Sequence, residues 1–324
     1  MRRIDDRYRL SSLDAINDFG ARSKHEQGNR SRARRRRTGN GDRCSARRHR
    51  SPVRLWNRTP DRARAGTAAS TGVTAVAEVT DAVKDSAVVF TVLRDGDAVA
   101  EVMNTAIDAF DARAVWVQAS TIGPDSARTL GELARRHGVA YLDAPVSGST
   151  GPARNGKLVW LVSGGQDAFD RAAPTLQPLG SAVEHLGTGV EGSAVKVAVN
   201  AWMTAATVAM SDVLSLCDAM GIDHKLFAKV LQDGPLAMPY ALQKVVAMDE
   251  HAYAAGFAVE LARKDLALAE QTIPPTALLS AVQQRLDQAI ADGHGHDDLA
   301  AIDYQRTPPN CPLENRPCPQ NPVN

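Results

Sequence analysis

The chain has 324 residues, of which 44% are hydrophobic and 5% aromatic, and its formal net charge is +1. This length suggests two domains, with cores built mainly from Ala, Val and Leu. No apolar run reaches the ~18 residues of a membrane span, and the N-terminus lacks the apolar core of a secretory signal. The four scattered cysteines form no metal-ligand pair. We therefore expect neither a membrane protein nor a cysteine-zinc protein, and a cytoplasmic location.

Residues 1–50 differ in charge from the rest of the chain. They hold 15 Arg and 1 Lys against 6 acidic residues, a net of +10, so the remainder carries about −9. The run RSRARRRRTGN has no apolar period, which predicts a disordered or aberrant Arg-rich leader. A nucleic-acid arm is the alternative, but no stacking aromatic side chains interrupt the run, so we expect no nucleic-acid partner. The Pro- and Asn-rich residues 306–324 predict a flexible tail.

Between Ser51 and Gly189, short apolar runs alternate with helical patterns. This alternation predicts βαβ units and an α/β fold with a Rossmann-like, doubly wound parallel sheet over residues 51–190. The predicted strands are 53–57, 71–77, 87–93, 114–120, 139–145, 158–165 and 182–187, and the helices between them are 59–65, 81–85, 97–110 and 124–138. After Gly189 the pattern is helical only, which predicts an all-α domain over residues 191–305. Its predicted helices are 192–220, 223–233, 238–248, 258–271 and 276–291.

Two segments contain the residue types that chemistry requires. DAPVSGSTGPARNG (143–156) places Pro145, Ser147 and Gly148 in a tight loop, whose backbone amides and hydroxyl suit a carboxylate. In GTGVEGSAVKVAVN (187–200), Lys196 and Asn200 are four residues apart and hence on one helix face. The apolar neighbours of Lys196 favour burial, which would lower the pKa of the lysine and suit it to proton transfer.

Together these segments resemble the β-hydroxyacid dehydrogenase family, of which 3-hydroxyisobutyrate dehydrogenase is the best-known type. The resemblance extends from about Val53 to about Tyr304. It implies hydride transfer between NADP(H) and a small β-hydroxyacid or its semialdehyde. Lys196 would be the general acid/base and Asn200 would position the substrate, whose acid group Ser147, Gly148 and Ser149 would bind. It also implies a homodimer or homotetramer.

The same resemblance assigns residues to the cofactor. The first predicted strand ends in Asn57-Arg58-Thr59, with no acidic residue to bind a ribose 2′-hydroxyl. Arg58 can instead offer planar donors to a 2′-phosphate, which favours NADP over NAD. A surface loop capping the next helix is the alternative for this tripeptide.

Three further positions complete the implied site. Leu93 matches a family leucine that packs on the cofactor. In QASTIGPD (118–125), Ser120 would bind the substrate carboxylate and Thr121 the nicotinamide end, although an N-cap before the helix near Pro124 is also possible. Lys264, in a Lys-Asp-Leu sequence, would contact the cofactor or substrate, unless it is a solvated helix residue.

The N-terminal pattern departs from the family. A dinucleotide site needs an apolar first strand followed by a Gly-rich turn, and both are apparently missing, because no apolar strand precedes Gly39 and Gly41. A cofactor-deficient, inactive homologue that serves as a binding protein is therefore an alternative function. An imine-reductase-like enzyme is another, but those enzymes lack the lysine that stands here at position 196. We expect no metal site, including at GHGHDD (293–298).

Overall fold

The structure is a computed structural model that describes residues 53–57, 73–274, 276–304 and 306. The predicted leader, the Gly39 and Gly41 segment, Arg58, Thr59, the helix over 59–65 and residues 307–324 lie outside the described residues. The chain divides into two compact units between Ala198 and Val199. The predicted domain boundary between residues 190 and 191 lies eight residues before this division, which falls inside a helix.

The first unit contains eight described strands. They are β1 (Val53–Leu55), β2 (Val73–Ala75), β3 (Val88–Thr91), β4 (Val115–Gln118), β5 (Ala140–Asp143), β6 (Val146–Ser147), β7 (Leu158–Gly164) and β8 (Gly180–Gly187). β1 and β2 pair in parallel and form a sheet of their own, with Val53 opposite Val73. Within the described residues, no strand joins this pair to β3, which is an edge of the larger sheet.

The larger sheet has six strands. Its order is β3-β4-β5-β7-β6, with β8 beside β7. β3, β4 and β5 are parallel, as predicted, and so are β7 and β8. β7, however, runs antiparallel to both β5 and β6. A parallel connection needs a crossover, usually through a long helix, whereas residues 144–157 contain only β6 and a five-residue helix. The chain therefore turns back along β5.

Helices cover both faces of this sheet. They are α1 (Val79–Val83), α2 (Gly96–Ala106), α3 (Gly123–Arg136), α4 (Thr150–Arg154) and α5 (Gln166–Leu176). On one face α2 and α3 bury Val99 and Leu130 with Trp116 of β4. On the other, α5 packs with Val117, Leu142 and Trp160 of the strands. Layers on both faces are the doubly wound arrangement. The helix α5 was not predicted, since Pro174 interrupts its pattern.

The second unit is helical, as predicted. Its helices are α6 (Glu191–Met220), which begins in the first unit, α7 (His224–Gln232), α8 (Pro239–Asp249), α9 (Val259–Glu270) and α10 (Ala277–Ala289). A short 3₁₀ helix, Leu299–Asp303, completes it. The core includes Leu214, Met248, Leu266, Leu286 and Leu299, all essentially without solvent exposure. The five predicted helices are confirmed within about two residues at each end, apart from a π-helical turn that follows α10.

The helix α6 is long and apolar enough to cross a membrane by length and composition. That differs from the expectation drawn from uninterrupted apolar runs, because this criterion tolerates one or two charged residues. The core helix of a globular protein meets the same criterion, and 44% of the most apolar window is buried. Polar side chains are among the buried residues of α6, namely Ser193, Lys196, Asn200, Thr204, Thr207 and Ser211.

Candidate active site

The loops that follow β3 and β4 are joined by one serine. The side chain of Ser120 is buried, its hydroxyl accepts a hydrogen bond from the amide of Leu93 at 2.8 Å, and it donates to the carbonyl of Thr91 at 3.3 Å. Because β3 and β4 are parallel, both loops leave the carboxyl edge of the sheet, where ligands bind in such folds. Ser120 thus holds the Leu93 loop in place, and its contact with a substrate carboxylate stays a prediction.

A glutamine that the sequence analysis missed supports this serine. The side-chain amide of Gln118 donates to the carbonyl of Ser120 and accepts from its backbone amide, both at 2.8 Å. Beside it, the indole of Trp116 donates to the hydroxyl of Thr91 at 2.9 Å. Gln118 is fully buried, so its amide must find partners inside the protein. A polar residue in an otherwise apolar strand is the signal that could have identified it.

The capping alternative for the Ser120 loop is wrong. The helix α3 begins at Gly123, its N-cap residue is Ile122, and no side chain caps it. Ser120 is buried in the loop junction, and Thr121 is partly buried beside it. The role of Thr121 at the nicotinamide end stays a prediction.

Two predicted cofactor residues of the first unit, Asn57 and Leu93, follow β1 and β3. Asn57 follows β1 and is partly buried. Leu93 packs, also partly buried, against the apolar cluster of α2 and α3, to which Trp56 also belongs. Trp56 and Leu93 therefore line the same cluster, whereas Arg58 and Thr59 fall outside the described residues.

The predicted carboxylate loop requires its glycine. Gly148 has a φ of +128°, and a Cβ atom there would lie 2.9 Å from Leu158 Cδ2. Ser147 belongs to β6, and Ser149 precedes α4 with a φ of −99°. The left-handed backbone is therefore at Gly148, and Ser149 sits where any residue is tolerated.

The strongest polar cluster of the first unit surrounds Asp143 at the end of β5. Its carboxylate accepts hydrogen bonds from the hydroxyl of Ser193 at 2.6 Å and from the amide of Ser193 at 2.7 Å. The hydroxyl of Ser163, on β7, donates to the same carboxylate at 3.3 Å and accepts from the amide of Gly192 at 2.9 Å. The first turn of α6 is thus bonded to the ends of β5 and β7.

Burial dominates the electrostatics of this aspartate. Loss of solvent raises the pKa of Asp143 to about 6, although the hydrogen bonds from Ser193 and Ser163 act to lower it. The nearby negative charge of Glu191 adds a smaller increase.

Lys196 lies one turn after Ser193 and is 8% exposed. Its burial was predicted from its apolar neighbours, of which only some are buried with it. Val197 is buried with it, while Val195 and Val199 are 39% and 37% exposed. The helix places the lysine on its inward side, beside the turn that Asp143 holds.

In the second unit, a second aspartate joins the remaining predicted residues. The amide of Asn200 donates to Asp265 Oδ2 at 2.5 Å, and Lys264 Nζ lies 2.7 Å from Asp265 Oδ1. Asp265 and Asn200 are both buried. A buried carboxylate costs free energy unless it is paired and hydrogen-bonded, and these two neighbours provide that. Asp265 belongs to the Lys-Asp-Leu sequence, and its contact with Asn200 was not foreseen.

Metal ligands form no cluster in the part of the chain that the structure describes: no three His, Cys, Asp or Glu side chains are placed to share an ion. In the GHGHDD segment, His294 pairs with Asp297 at 2.7 Å and Asp298 caps the following 3₁₀ helix. These contacts give the segment a structural role.

Comparison with known families places these residues in context. Residues 44–187 match the NAD-binding domain of 6-phosphogluconate dehydrogenase, and residues 190–304 match the NAD-binding domain of NADP-dependent 3-hydroxyisobutyrate dehydrogenase. The two matches follow one another along the chain and cover both units. The chain belongs to the β-hydroxyacid dehydrogenase family. Its first unit is the NAD(P)-binding, Rossmann-like domain of that family.

Several named relatives have sequences similar to this family member. The 3-hydroxyisobutyrate dehydrogenase of Pseudomonas aeruginosa is 32% identical over 56% of this chain and 65% of its own length. The mitochondrial 3-hydroxyisobutyrate dehydrogenase of Homo sapiens is 30% identical over 57% and 59%. The chloroplastic glyoxylate/succinic semialdehyde reductase 2 of Arabidopsis thaliana is 27% identical over 66% and 62%. The matched region thus spans less than two thirds of each of these relatives.

Solved structures share the fold over more of their length. Mycobacterium tuberculosis 3-hydroxyisobutyrate dehydrogenase, solved with L-serine, is 25% identical with a TM-score of 0.71, over 78% of this chain and 90% of that one. An imine reductase from Myxococcus stipitatus has a TM-score of 0.51 and 21% identity over 78% and 89%. That second likeness concerns the fold alone.

Proposed function

We propose that the protein catalyses reversible hydride transfer between NADP(H) and a small β-hydroxyacid or its semialdehyde, with Lys196 as general acid/base. The observation that supports it most is the burial of Lys196 on the helix face that carries the Asp143-bonded turn. A lysine held in one place and withdrawn from water is suited to transfer a proton to a reacting oxygen. The relatives named above support the same class of reaction.

When bound, the nicotinamide supplies or accepts the hydride. In the reducing direction Lys196 donates a proton to the carbonyl oxygen of the semialdehyde, and in the oxidising direction it removes the proton from the hydroxyl. Asn200 directs its NH₂ group to Asp265, which leaves its carbonyl oxygen to accept from a substrate hydroxyl. Asp265 thereby fixes which way the amide points.

The substrate acid group would bind at the loop after β5. Ser147, Gly148 and Ser149 form a hydroxyl-bearing turn, and the positive φ of Gly148 is a backbone conformation that glycine permits. Successive backbone amides in such a turn bind anions. Ser120 has a single hydroxyl proton, which it donates to the carbonyl of Thr91, and a carboxylate only accepts hydrogen bonds. Its contribution to this grip, which stays part of the proposal, therefore requires the hydroxyl to turn from Thr91 to the substrate.

For the cofactor we propose NADP(H) in preference to NAD(H). No acidic side chain stands at Asn57-Arg58-Thr59 to bind the ribose 2′-hydroxyl, and Arg58 is suited to a 2′-phosphate. Leu93 would pack on the cofactor, and Thr121 and Lys264 would contact its nicotinamide end.

We also propose a homodimer or homotetramer in the cytoplasm. The α6 helix carries a row of exposed apolar side chains at spacings of three and four residues, which include Trp202, Val213, Leu216 and Met220. Trp202 is 67% exposed. A contiguous apolar surface of this kind is typical of a protein interface.

Fluorescence titration with NADPH and with NADH tests the cofactor, followed by steady-state kinetics on small hydroxyacids. We expect saturable NADPH binding that is weaker for NADH and is weakened by Arg58→Ala. Lys196→Ala should lower kcat by about 10²- to 10⁴-fold, the usual range for a general acid/base, without weakening NADPH binding. Lys225→Ala, on an exposed position of α7, is the matched control and should leave kcat unchanged.

Two other functions predict different results. An inactive homologue that serves as a binding protein is favoured by the separate β1–β2 sheet. It predicts folded protein that binds neither NADPH nor NADH. An imine-reductase-like enzyme is favoured by the shared fold and predicts turnover of cyclic imines that Lys196→Ala leaves intact. Hydroxyacid turnover abolished by that substitution would reject both.

A further inference from the structure

The first turn of α6 is capped by the sheet. The amides of a helix's first turn have no partners within the helix. The first helical bond of α6 runs from the amide of Ala194 to the carbonyl of Val190. The amide of Gly192 is bound by Ser163 of β7 and that of Ser193 by Asp143 of β5. The start of the helix therefore depends on side chains 29 and 50 residues earlier in the chain.

The contact also leaves no room for the turn to move closer to the sheet. A Cβ atom on Gly192 would lie 2.3 Å from the carbonyl oxygen of Leu161 and 2.8 Å from that of Asp143. The helix backbone thus touches the backbones of β7 and β5. The carboxylate of Asp143 bonds the turn to the sheet, and the strand backbones limit how closely the turn can approach it.

These contacts set the helix face on which Lys196 lies. Residues three and four apart share a helix face, so Lys196 lies on the face of Gly192 and Ser193. Burial follows that face: Gly192, Ser193, Lys196 and Val197 are buried, while Val195 is exposed. A rotation or shift of the first turn would move the lysine with it, because only one turn separates them.

Stability does not account for a carboxylate at this position. Its folded pKa is raised to about 6 from 3.8, mainly by burial, so the folded protein holds this proton more tightly than the unfolded chain. Ionisation of Asp143 therefore lowers the free energy of unfolding. This loss of stability is absent below the pKa of the unfolded chain and grows as the pH rises through the folded pKa. At neutral pH the Asp143 charge therefore disfavours folding, and a neutral asparagine would avoid that cost.

We propose that Asp143 is a positioning residue, whose carboxylate fixes the first turn of α6 through Ser193 and thereby sets the place of Lys196. Its catalytic consequence rests on the proposed function, whereas its effect on the helix does not. An anion that accepts two hydrogen bonds at a helix N-terminus is well suited to this task, since charge-assisted bonds are short and directional.

The test uses Asp143→Asn, Ser193→Ala and a matched control. Asp223 caps α7, accepts the amides of Lys225 and Leu226, and is exposed, so Asp223→Asn also removes a carboxylate from a helix N-terminus. We expect Asp143→Asn to lower kcat at least tenfold, because its amide has one accepting atom where the carboxylate has two and carries no charge. Ser193→Ala keeps the charge-assisted bond to the backbone amide and should lower kcat about threefold. The NADPH dissociation constant should change less than twofold, the thermal midpoint at pH 7.5 should not fall, and Asp223→Asn should match the unaltered protein.

A pH profile separates positioning from a general loss of structure. Protonation of Asp143 should lower kcat as the pH falls through about 6, and this acid limb should be absent in Asp143→Asn. The other ionisable groups that act on the aspartate are Glu191 and Tyr141. Burial raises the pKa of the Tyr141 phenol, so it stays neutral in this range. Glu191→Gln should retain the acid limb, displaced to lower pH.

Hydrogen exchange of residues 190–200, followed by mass spectrometry, tests the helix directly. Faster exchange there in Asp143→Asn, with no change in Asp223→Asn, is the expected result. Wild-type kcat and wild-type exchange in Asp143→Asn would overturn the proposal. Should the unaltered protein itself turn over no hydroxyacid, the proposed function fails, and the exchange data alone decide whether Asp143 holds the helix.

Discussion

The two ends of the first unit differ in how they are held. At one end, β1 and β2 pair only with each other among the described strands, and none of their residues is fully buried. At the other, β5 and β7 are joined to the first turn of α6 by Asp143 and Ser163. A two-stranded pair is marginal by itself, whereas a buried, hydrogen-bonded junction is specified by many partners at once. Lys196, the proposed acid/base, lies at the end where α6 is bonded to β5 and β7.

This difference bears on function. The β1–β2 end carries the residues that would select the cofactor, and the α6 end carries the residue that would transfer the proton. We therefore expect sequence changes at the first end to alter cofactor affinity with modest effects on folding. Changes at the α6 end should affect folding and turnover together, unless they preserve the packing of α6 against β5 and β7.

A matched pair of leucine substitutions should show the largest contrast. Leu142 in β5 has no solvent exposure, while Leu55 in β1 is partly exposed. Leu142→Ala should lower the free energy of unfolding by about 2–5 kcal/mol, because it leaves a cavity. Leu55→Ala should cost about 1 kcal/mol or less. Urea denaturation measures both, and equal losses would contradict the comparison.

An added methyl group where α6 meets β5 and β7 should have the next largest effect on the free energy of unfolding. Gly192→Ala places a Cβ 2.3 Å from a strand carbonyl, so the helix start must shift, at about 3 kcal/mol. Gly131→Ala, within α3, meets only the ring of Tyr141 at 3.4 Å. It should be neutral or slightly stabilising, because alanine favours a helix. Thermal unfolding compares the two, and a fully stable Gly192→Ala would show that the junction is not tight.

Substitution in the Ser120 loop should lower the free energy of unfolding by an amount between those expected at the two ends. Ser120→Ala removes the acceptor of the Leu93 amide and should cost about 2 kcal/mol, because a buried donor loses its partner. Ser181→Ala, at an exposed position of β8, should stay within about 0.5 kcal/mol. If Ser120→Ala raises the substrate KM without loss of stability, its hydroxyl acts on the ligand rather than on the loop.

The apolar runs of the sequence predicted the strands of the sheet well. Val88–Thr91, Val115–Gln118 and Ala140–Asp143 all fall inside predicted strands, since strands buried on both faces are apolar throughout. The reversal of β7 was missed, because strand direction depends on the connection and not on composition. The helix α5 was missed because Pro174, tolerated in this fold, breaks the local signal.

The site was predicted in part. Lys196, Asn200 and the loop at Gly148 were named from their residue types and spacing. Asp143 and Asp265 were not assigned roles, because their partners lie 50 and 65 residues away in the chain. Gln118, whose partner is 2 residues away, was overlooked although a polar residue in an apolar strand is a local signal. Spacing along a helix identifies which residues share a face, but not which carboxylate meets that face.

The amino-acid sequence by itself determined the α/β and all-α halves, the family, and the helix that carries Lys196, because periodicity and short motifs are local properties. Tertiary structure alone decided that β7 runs antiparallel, that Ser120 joins two loops and that Asp143 caps α6. These features arise from groups that are distant in the chain and share one buried space, where each polar atom must find its partner.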